Sequence, residues 1–357
     1  MATLEEIARR VGVSRNTVAR ALSARTKGKW KTTAHRLAAI RKVAEEVGYR
    51  PNTAAKATAT GRFHTGALLT RASQVDFLPF DLLRGIADAF AAHEMHTMIA
   101  RLDAHRIADP TMAPKLIREL SVDGLIVHQA IDVPHPDIEL LRRYRIPTIW
   151  LNTKSSHDAV YPDEFDAGRR ATEHLIAMGH RRIAFIQFDV GWGHPGTHYS
   201  GVDRQAGYLA AVEAASLQPH VVAHTYELAA QDVHLGLMPW GSPADDRVRR
   251  LIALMSATDR PTAVVARGSD GAVPALLAAG AVGLAVPLDL SLISFNHEPL
   301  AECGAPLTTM RTPMLTSART AVDMLVKKIE RPTARLRSVA IPYPHPIGGT
   351  CAAPPGR

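Results

Sequence analysis

The sequence predicts a multidomain protein, with an all-α helix-turn-helix headpiece over residues 1–50 and an α/β core of two doubly wound parallel-sheet lobes behind it. Three observations predict it. Residues 4–22, LEEIARRVGVSRNTVARAL, read as two short amphipathic helices on either side of a glycine. Excess positive charge is confined to the same end: residues 1–64 hold fourteen Lys and Arg against four acidic residues, and the remainder twenty-eight against thirty. From His64 onward short apolar runs alternate with helical periodicity in two successive series, the pattern of parallel sheets joined by right-handed crossovers.

In the first stretch Thr3 is placed to cap a helix and Glu6, three residues on, to complete a capping box. Leu4, Ile7 and Ala8 form that helix's apolar stripe. Gly12 can adopt the left-handed conformation that ends it, and Ser14 can cap a second helix from Arg15 to Leu22. Val11, Val13, Val18 and Leu22 are expected to bury the crossing. The second helix then presents Arg15, Asn16 and Arg20, side chains that recognise guanine and adenine edges bidentately in a major groove. A basic loop from Ser23 to Thr32 follows, with Lys27, Lys29 and Trp30. A third helix is expected from about Thr33 to Val47, ended by Gly48. Pro51 breaks it, and the alanine-rich run over 51–61 is under three turns long, so a helix that forms on docking and a linker are both compatible with it.

The core reads in order as strand Thr65–Thr70, helix Leu82–His93, strand Thr97–Leu102, helix Met112–Leu120, strand Gly124–His128, helix Ile138–Tyr144 and strand Thr148–Leu151. A second series runs helix Ala167–Met178, strand Arg182–Phe188, helix Arg204–Ala214, strand His220–Tyr226, helix Asp245–Ser256, strand Ala263–Ala266, helix Ala272–Ala279 and strand Ser291–Phe295. Ligands of such folds bind at the carboxyl ends of the strands, so a small-molecule cleft is expected between the lobes.

Composition excludes several classes. No apolar run approaches the roughly eighteen residues of a membrane span. Glu5, Glu6, Arg9 and Arg10 stand where a signal peptide needs an apolar core, which points to a cytoplasmic protein. Cys303 and Cys351 are the only cysteines, too few for a disulfide framework or a cysteine zinc site. No GxGxxG follows the first strand, and GxxxxGK[ST] and GxSxG are missing, so neither a nicotinamide enzyme nor a hydrolase is indicated. His93 and His96 have the wrong spacing for a zinc helix. No cofactor is expected, and the confined basic charge suggests double-stranded DNA as partner.

Over nearly its whole length the chain resembles the lactose/galactose repressor family of bacterial transcription regulators. TLEEIARRVGVSRNTVARAL and VAEEVGYRPN are similar to the family's headpiece. LLRGI, VDGLIV, IPTIWLN, ATEHLIAMGHRRIAFI, DRQAGY, DLSLISFN and PLTTMRTP fall in its order and spacing. The resemblance implies a hinge helix over 51–61 and a periplasmic-binding-protein-like core. Its N-terminal lobe would comprise 62–160 and about 313–341, its C-terminal lobe 161–312 and about 342–351, with 352–357 as a tail. It implies a homodimer on a palindromic operator, with Thr3, Ser14, Arg15, Asn16, Thr17, Arg20, Lys27, Lys29, Tyr49, Asn52, Ala55, Lys56 and Thr58 at the DNA. In the family a leucine is wedged into the minor groove at the position of Thr58, a smaller and polar residue.

For the effector the resemblance points to Arg204, Asn296, Asn152, Ser269, Asp270, Trp192 and Leu78. Asn296 and Asn152 replace aspartates common in the family, which would leave Arg204 less neutralised and favour a carbohydrate-like ligand with an acidic group. The function expected is a sequence-specific regulator, a repressor whose DNA affinity a small molecule sets. The rival reading is a cytoplasmic sugar-binding sensor without specific DNA binding.

Overall fold

A computed structural model describes residues 2–22, 34–51, 57, 60–71, 78–102, 121–128, 141, 144–191, 198–227, 246–297 and 306–355. The chain divides into two compact units, Met1–Phe63 and His64–Arg357. Lys27, Lys29, Trp30, Asn52, Ala55, Lys56, Thr58 and Trp192 lie outside the described residues, as do the helix expected over 112–120 and most of that expected over 138–144.

The first unit holds α1 (Leu4–Val11), α2 (Arg15–Leu22) and α3 (Ala34–Glu46). Thr3 caps α1, its Oγ1 accepting from the Glu6 amide at 3.2 Å. The expected reciprocal half of the capping box is replaced: the Glu6 carboxylate takes Arg10, one turn on, at 2.9 Å. Gly12 ends α1 at φ +71°, and the Val13 amide closes the turn on the Ala8 carbonyl at 3.0 Å. The apolar stripe meets as expected: Ile7, Val18 and Ile40, one from each helix, are fully buried with Ala8, Ala21 and Ala44 around them. In the expected hinge helix Ala57 and Thr60 have helical backbone, and the Gly61 amide donates to the Ala57 carbonyl at 2.7 Å.

The second unit contains two parallel sheets. The first has the order β11-β5-β4-β3-β1-β2, from β1 (Thr65–Arg71), β2 (His96–Leu102), β3 (Gly124–His128), β4 (Thr148–Leu151), β5 (Ala159–Pro162) and β11 (Val339–Ile341). The second has the order β10-β9-β8-β6-β7, from β6 (Ile183–Gly191), β7 (His220–Glu227), β8 (Ala263–Ala266), β9 (Ser291–Asn296) and β10 (Thr308–Arg311). Every strand pairing within them is parallel. The central strands are covered on both faces, and β3 and β8 are buried along their whole length. On β1 Leu68 packs beneath α4 (Phe80–Ala92) and α9 (Met314–Glu330), while Ala67 and Leu69 face the opposite side. On β8 Val264 and Ala266 face α7 (Asp246–Ser256) and α8 (Ser269–Ala281), and Ala263 and Val265 face α5 (Glu164–Ala177) and α6 (Tyr199–Ala214).

Three strands, β3, β4 and β8, match the sequence expectation end for end. Helices α5 and α6 start earlier than expected, at Glu164 and Tyr199. Their first turns are polar and are built by the caps Asp163 and His198, whose side chains accept from Asp166 and Ser200 amides, so apolar periodicity does not reveal them. α9 was not anticipated as an element, although its residues fall in the span assigned to the first lobe. It leaves the second sheet after β10 and lies across the first, with Met314, Ala318, Val322, Leu325 and Ile329 buried there.

Candidate nucleic-acid interface and ligand cleft

In the first unit, the residues that cap α2 fix what it displays. Ser14 Oγ accepts from the Thr17 amide at 3.2 Å and shares a hydrogen bond with the Thr17 hydroxyl at 2.9 Å. Both residues expected at the DNA therefore also hold the helix end together. With Val18 and Ala21 turned inward, Arg15, Asn16 and Arg20 are exposed on the opposite side. Arg15 Nε meets Glu5 of α1 at 2.6 Å. Tyr49, half-buried against the headpiece core, has its backbone anchored by its amide, which donates to the Ala44 carbonyl at 2.8 Å. Burial pushes its phenol above the usual value, the Arg15 charge opposes this, and Glu5 adds to it. An exposed arginine-asparagine-arginine face on a capped helix is suited to a major groove.

In the second unit the carboxyl ends of the two sheets converge. Strand β3 ends on His128, 5% exposed, and among the described residues neither of its ring nitrogens is bonded; the hydroxyls of Thr70 on β1 and Thr153 just beyond β4 are equally without a hydrogen-bond partner there. Burial, reinforced by His297 and His198, lowers the His128 pKa to about 3, so its ring is neutral, with one donor and one acceptor. From the other sheet come Asn296 at the end of β9, exposed His297 beside it, and Ser269 and Asp270 opening α8. Leu78 precedes α4 and packs against the first lobe's core.

Asn152 was expected to line the cleft, and much of it is used in joining the lobes. It is held at φ +64°, its backbone carbonyl accepts from His198 Nε2 at 3.0 Å, and its Oδ1 accepts from the Tyr199 hydroxyl at 3.3 Å. The Asn296 carbonyl likewise accepts the Thr312 amide at 3.0 Å. Arg311 on β10 reaches Asp81 in the first turn of α4 at 2.8 Å.

The expectation about Arg204 needs correction. Its charge is met in full by Glu164, which the sequence reading did not single out. Nε and Nη2 donate to Glu164 Oε2 and Oε1 at 2.6 and 3.0 Å, Nη1 donates to the Arg267 carbonyl at 2.7 Å, and Nη2 also reaches the Tyr343 hydroxyl at 3.2 Å. The guanidinium also lies over the Phe295 ring, 4.6 Å from its centroid. Burial disfavours the cation, but the Glu164 carboxylate and Tyr343 more than offset this and raise the pKa. Losing aspartates at Asn152 and Asn296 therefore does not leave Arg204 unneutralised. Sequence patterning missed Glu164 because it lies forty residues before Arg204 and carries no apolar period of its own. The missed His128 had a visible signal, an imidazole closing the apolar run Gly124–Val127.

Residues 3–52 match the family described as bacterial regulatory proteins, lacI family, and residues 172–351 match the periplasmic binding protein-like domain. The chain belongs to the lacI family. Along 350 residues it is 26% identical to the HTH-type transcriptional repressor PurR of Escherichia coli O1:K1, covering 96% of this chain and 94% of that protein. The Lac repressor dimer bound to operator and the anti-inducer ONPF has a similar fold, with TM-score 0.71 and 19% identity over 99% of both chains. The regulator CelR in complex with cellobiose aligns with TM-score 0.59 and 22% identity over 97% of this chain and 98% of that one. This lacI-family member is thus a DNA-binding transcriptional regulator with an effector-binding domain, and not an enzyme. Among the described residues no helix is long and apolar enough to cross a membrane.

Proposed function

We propose that the protein is a repressor that binds a palindromic operator as a homodimer and responds to a neutral, carbohydrate-like molecule held between its lobes. Arg15, Asn16 and Arg20 read base edges, and Thr3, Ser14, Thr17 and Tyr49 support them at the DNA. The lobes are taken as 62–160 with about 313–341 and 161–312 with about 342–351. The observation that carries the ligand reading is the set of buried groups that have no partner among the described residues at the first sheet's carboxyl edge: Thr70 Oγ1, both His128 nitrogens and Thr153 Oγ1. Leaving such groups unbonded costs roughly 1–3 kcal/mol each, and a hydroxylated ligand would recover much of it. Cellobiose in CelR supports a sugar. An acidic group is not required, because Glu164 already neutralises Arg204. A ligand that prefers one lobe arrangement shifts that population, and with it DNA affinity.

The test pairs two measurements on the full chain. A metabolite panel is screened by thermal shift, and each hit is added to a gel-shift titration on a selected operator. Neutral polyols should raise the melting temperature and change operator affinity at least tenfold. Binding confined to anionic compounds would overturn the ligand class. DNA binding with no sequence preference and only a steep salt slope would overturn the specific operator.

A further inference from the structure

The ion pair between Glu5 and Arg15 joins the first turn of α1 to the first residue of the exposed helix α2. Its partners are 63% and 62% exposed, so it contributes little to folding stability. Its geometry is informative for another reason. The contact uses Arg15 Nε at 2.6 Å, and among the described residues no protein acceptor takes either Nη group. Those two nitrogens form a planar fork that matches the O6 and N7 acceptors of guanine. A flexible arginine loses rotamer freedom on docking to a base, whereas one already held by a carboxylate loses less. The Tyr49 phenol lies close enough for both charges to act on it, so α1, α2 and the turn beyond α3 bring three polar groups to one patch. Glu5 Oε2 remains available as an acceptor, the group that suits a cytosine amino group.

We propose that Glu5 is a specificity-determining residue of the headpiece: it holds Arg15 for bidentate contact with guanine and itself accepts from a neighbouring cytosine. The proposal rests on the reading that Arg15 contacts bases. Glu5 also lowers non-specific affinity, because a carboxylate at this surface repels phosphates.

Binding-site selection from a randomised duplex library tests it, with the full-length wild type, Glu5→Gln, Glu5→Ala and Arg15→Ala at one salt concentration. The wild type should select guanine at one position of each half-site, and Arg15→Ala should lose that preference. Glu5→Gln and Glu5→Ala should weaken it about tenfold at the same position, lose the cytosine preference beside it, leave the remaining positions unchanged and bind unrelated DNA more tightly. Thermal melts of all four proteins should coincide. If both Glu5 variants return wild-type base frequencies while Arg15→Ala does not, the role of Glu5 is overturned and base reading by Arg15 stands. If Arg15→Ala also returns wild-type frequencies, base reading by Arg15 falls and the proposal with it.

Discussion

A carboxylate that is 2% exposed needs its counter-charge within reach, and at Glu164 the answer comes from Arg204 and from the Tyr343 hydroxyl at 2.9 Å. The pair is a structural commitment as much as a binding feature. Glu164→Gln strands a guanidinium that is 12% exposed and should cost about 3–5 kcal/mol, read from urea denaturation. Replacing both partners with apolar residues should cost less than that single change. His128 makes a second demand on the same region. Its folded pKa of about 3 lies below the ordinary histidine value, so it folds neutral. Above about pH 6.5 the unfolded ring is neutral too and nothing is lost; below it, the unfolded chain takes up a proton the native state refuses. Stability should therefore fall by about 2 kcal/mol between pH 7 and pH 5 through this ring alone. His128→Asn should flatten that part of the curve in denaturation midpoints taken at the two pH values.

Among the elements, the crossing of α5 and α6 positions Arg204 against Glu164. A Cβ on Gly168 would stand 2.2 Å from the Arg204 carbonyl oxygen, and one on Gly207 2.1 Å from that of Phe165. Backbone meets backbone there, so Gly207→Ala should destabilise the core by about 1–3 kcal/mol or more, measurable as a lower melting temperature. This crossing also shows what was legible beforehand. The strands with unbroken β-branched or aliphatic runs, such as Gly124–His128 and Ala263–Ala266, announced both their ends, and so did the Gly12 turn between α1 and α2. β11 holds three residues, too few for a period to register, and β5, AVYP, has only two aliphatic residues before a tyrosine and a proline. At the candidate site Arg204 was readable through the family resemblance. Its partner and the roles of Asn152 and His198 were not, because they arise where the two lobes meet. His180, inside the recognisable MGHRRIAFI run, is an internal tie: its ring meets the Thr262 hydroxyl at 2.9 Å and the Ala352 carbonyl at 2.9 Å.

For the molecule as a whole, the second unit is two sheets joined by three passages of chain. Pro162–Glu164, Arg311–Met314 and Ile341–Tyr343 each lead between them, and Glu164, Thr312 and Tyr343 from the three passages share one hydrogen-bonded cluster with Arg204. Lobe motion must therefore turn about this cluster. The tie from Arg311 to Asp81 is an added, half-exposed restraint. Asp81→Ala should change effector affinity by no more than about fivefold, about 1 kcal/mol, by calorimetry. A far larger effect would mean that this tie, and not the cluster, governs closure.

The route of α9 and β11 carries a consequence for how the protein is made. A ribosome emits the headpiece first and most of the first sheet soon after, yet that sheet's outer strand and covering helix belong to residues 314–341. The second sheet, whose strands all lie between Ile183 and Arg311, can be assembled before the first is closed. During that interval Leu68, Ile126 and Ile149, all fully buried in the finished protein, lack the α9 side chains that cover them. A nascent chain halted at residue 312 should bind chaperones and aggregate on release, while one halted beyond 345 should not. Synthesis order thus sets the period in which this regulator is vulnerable.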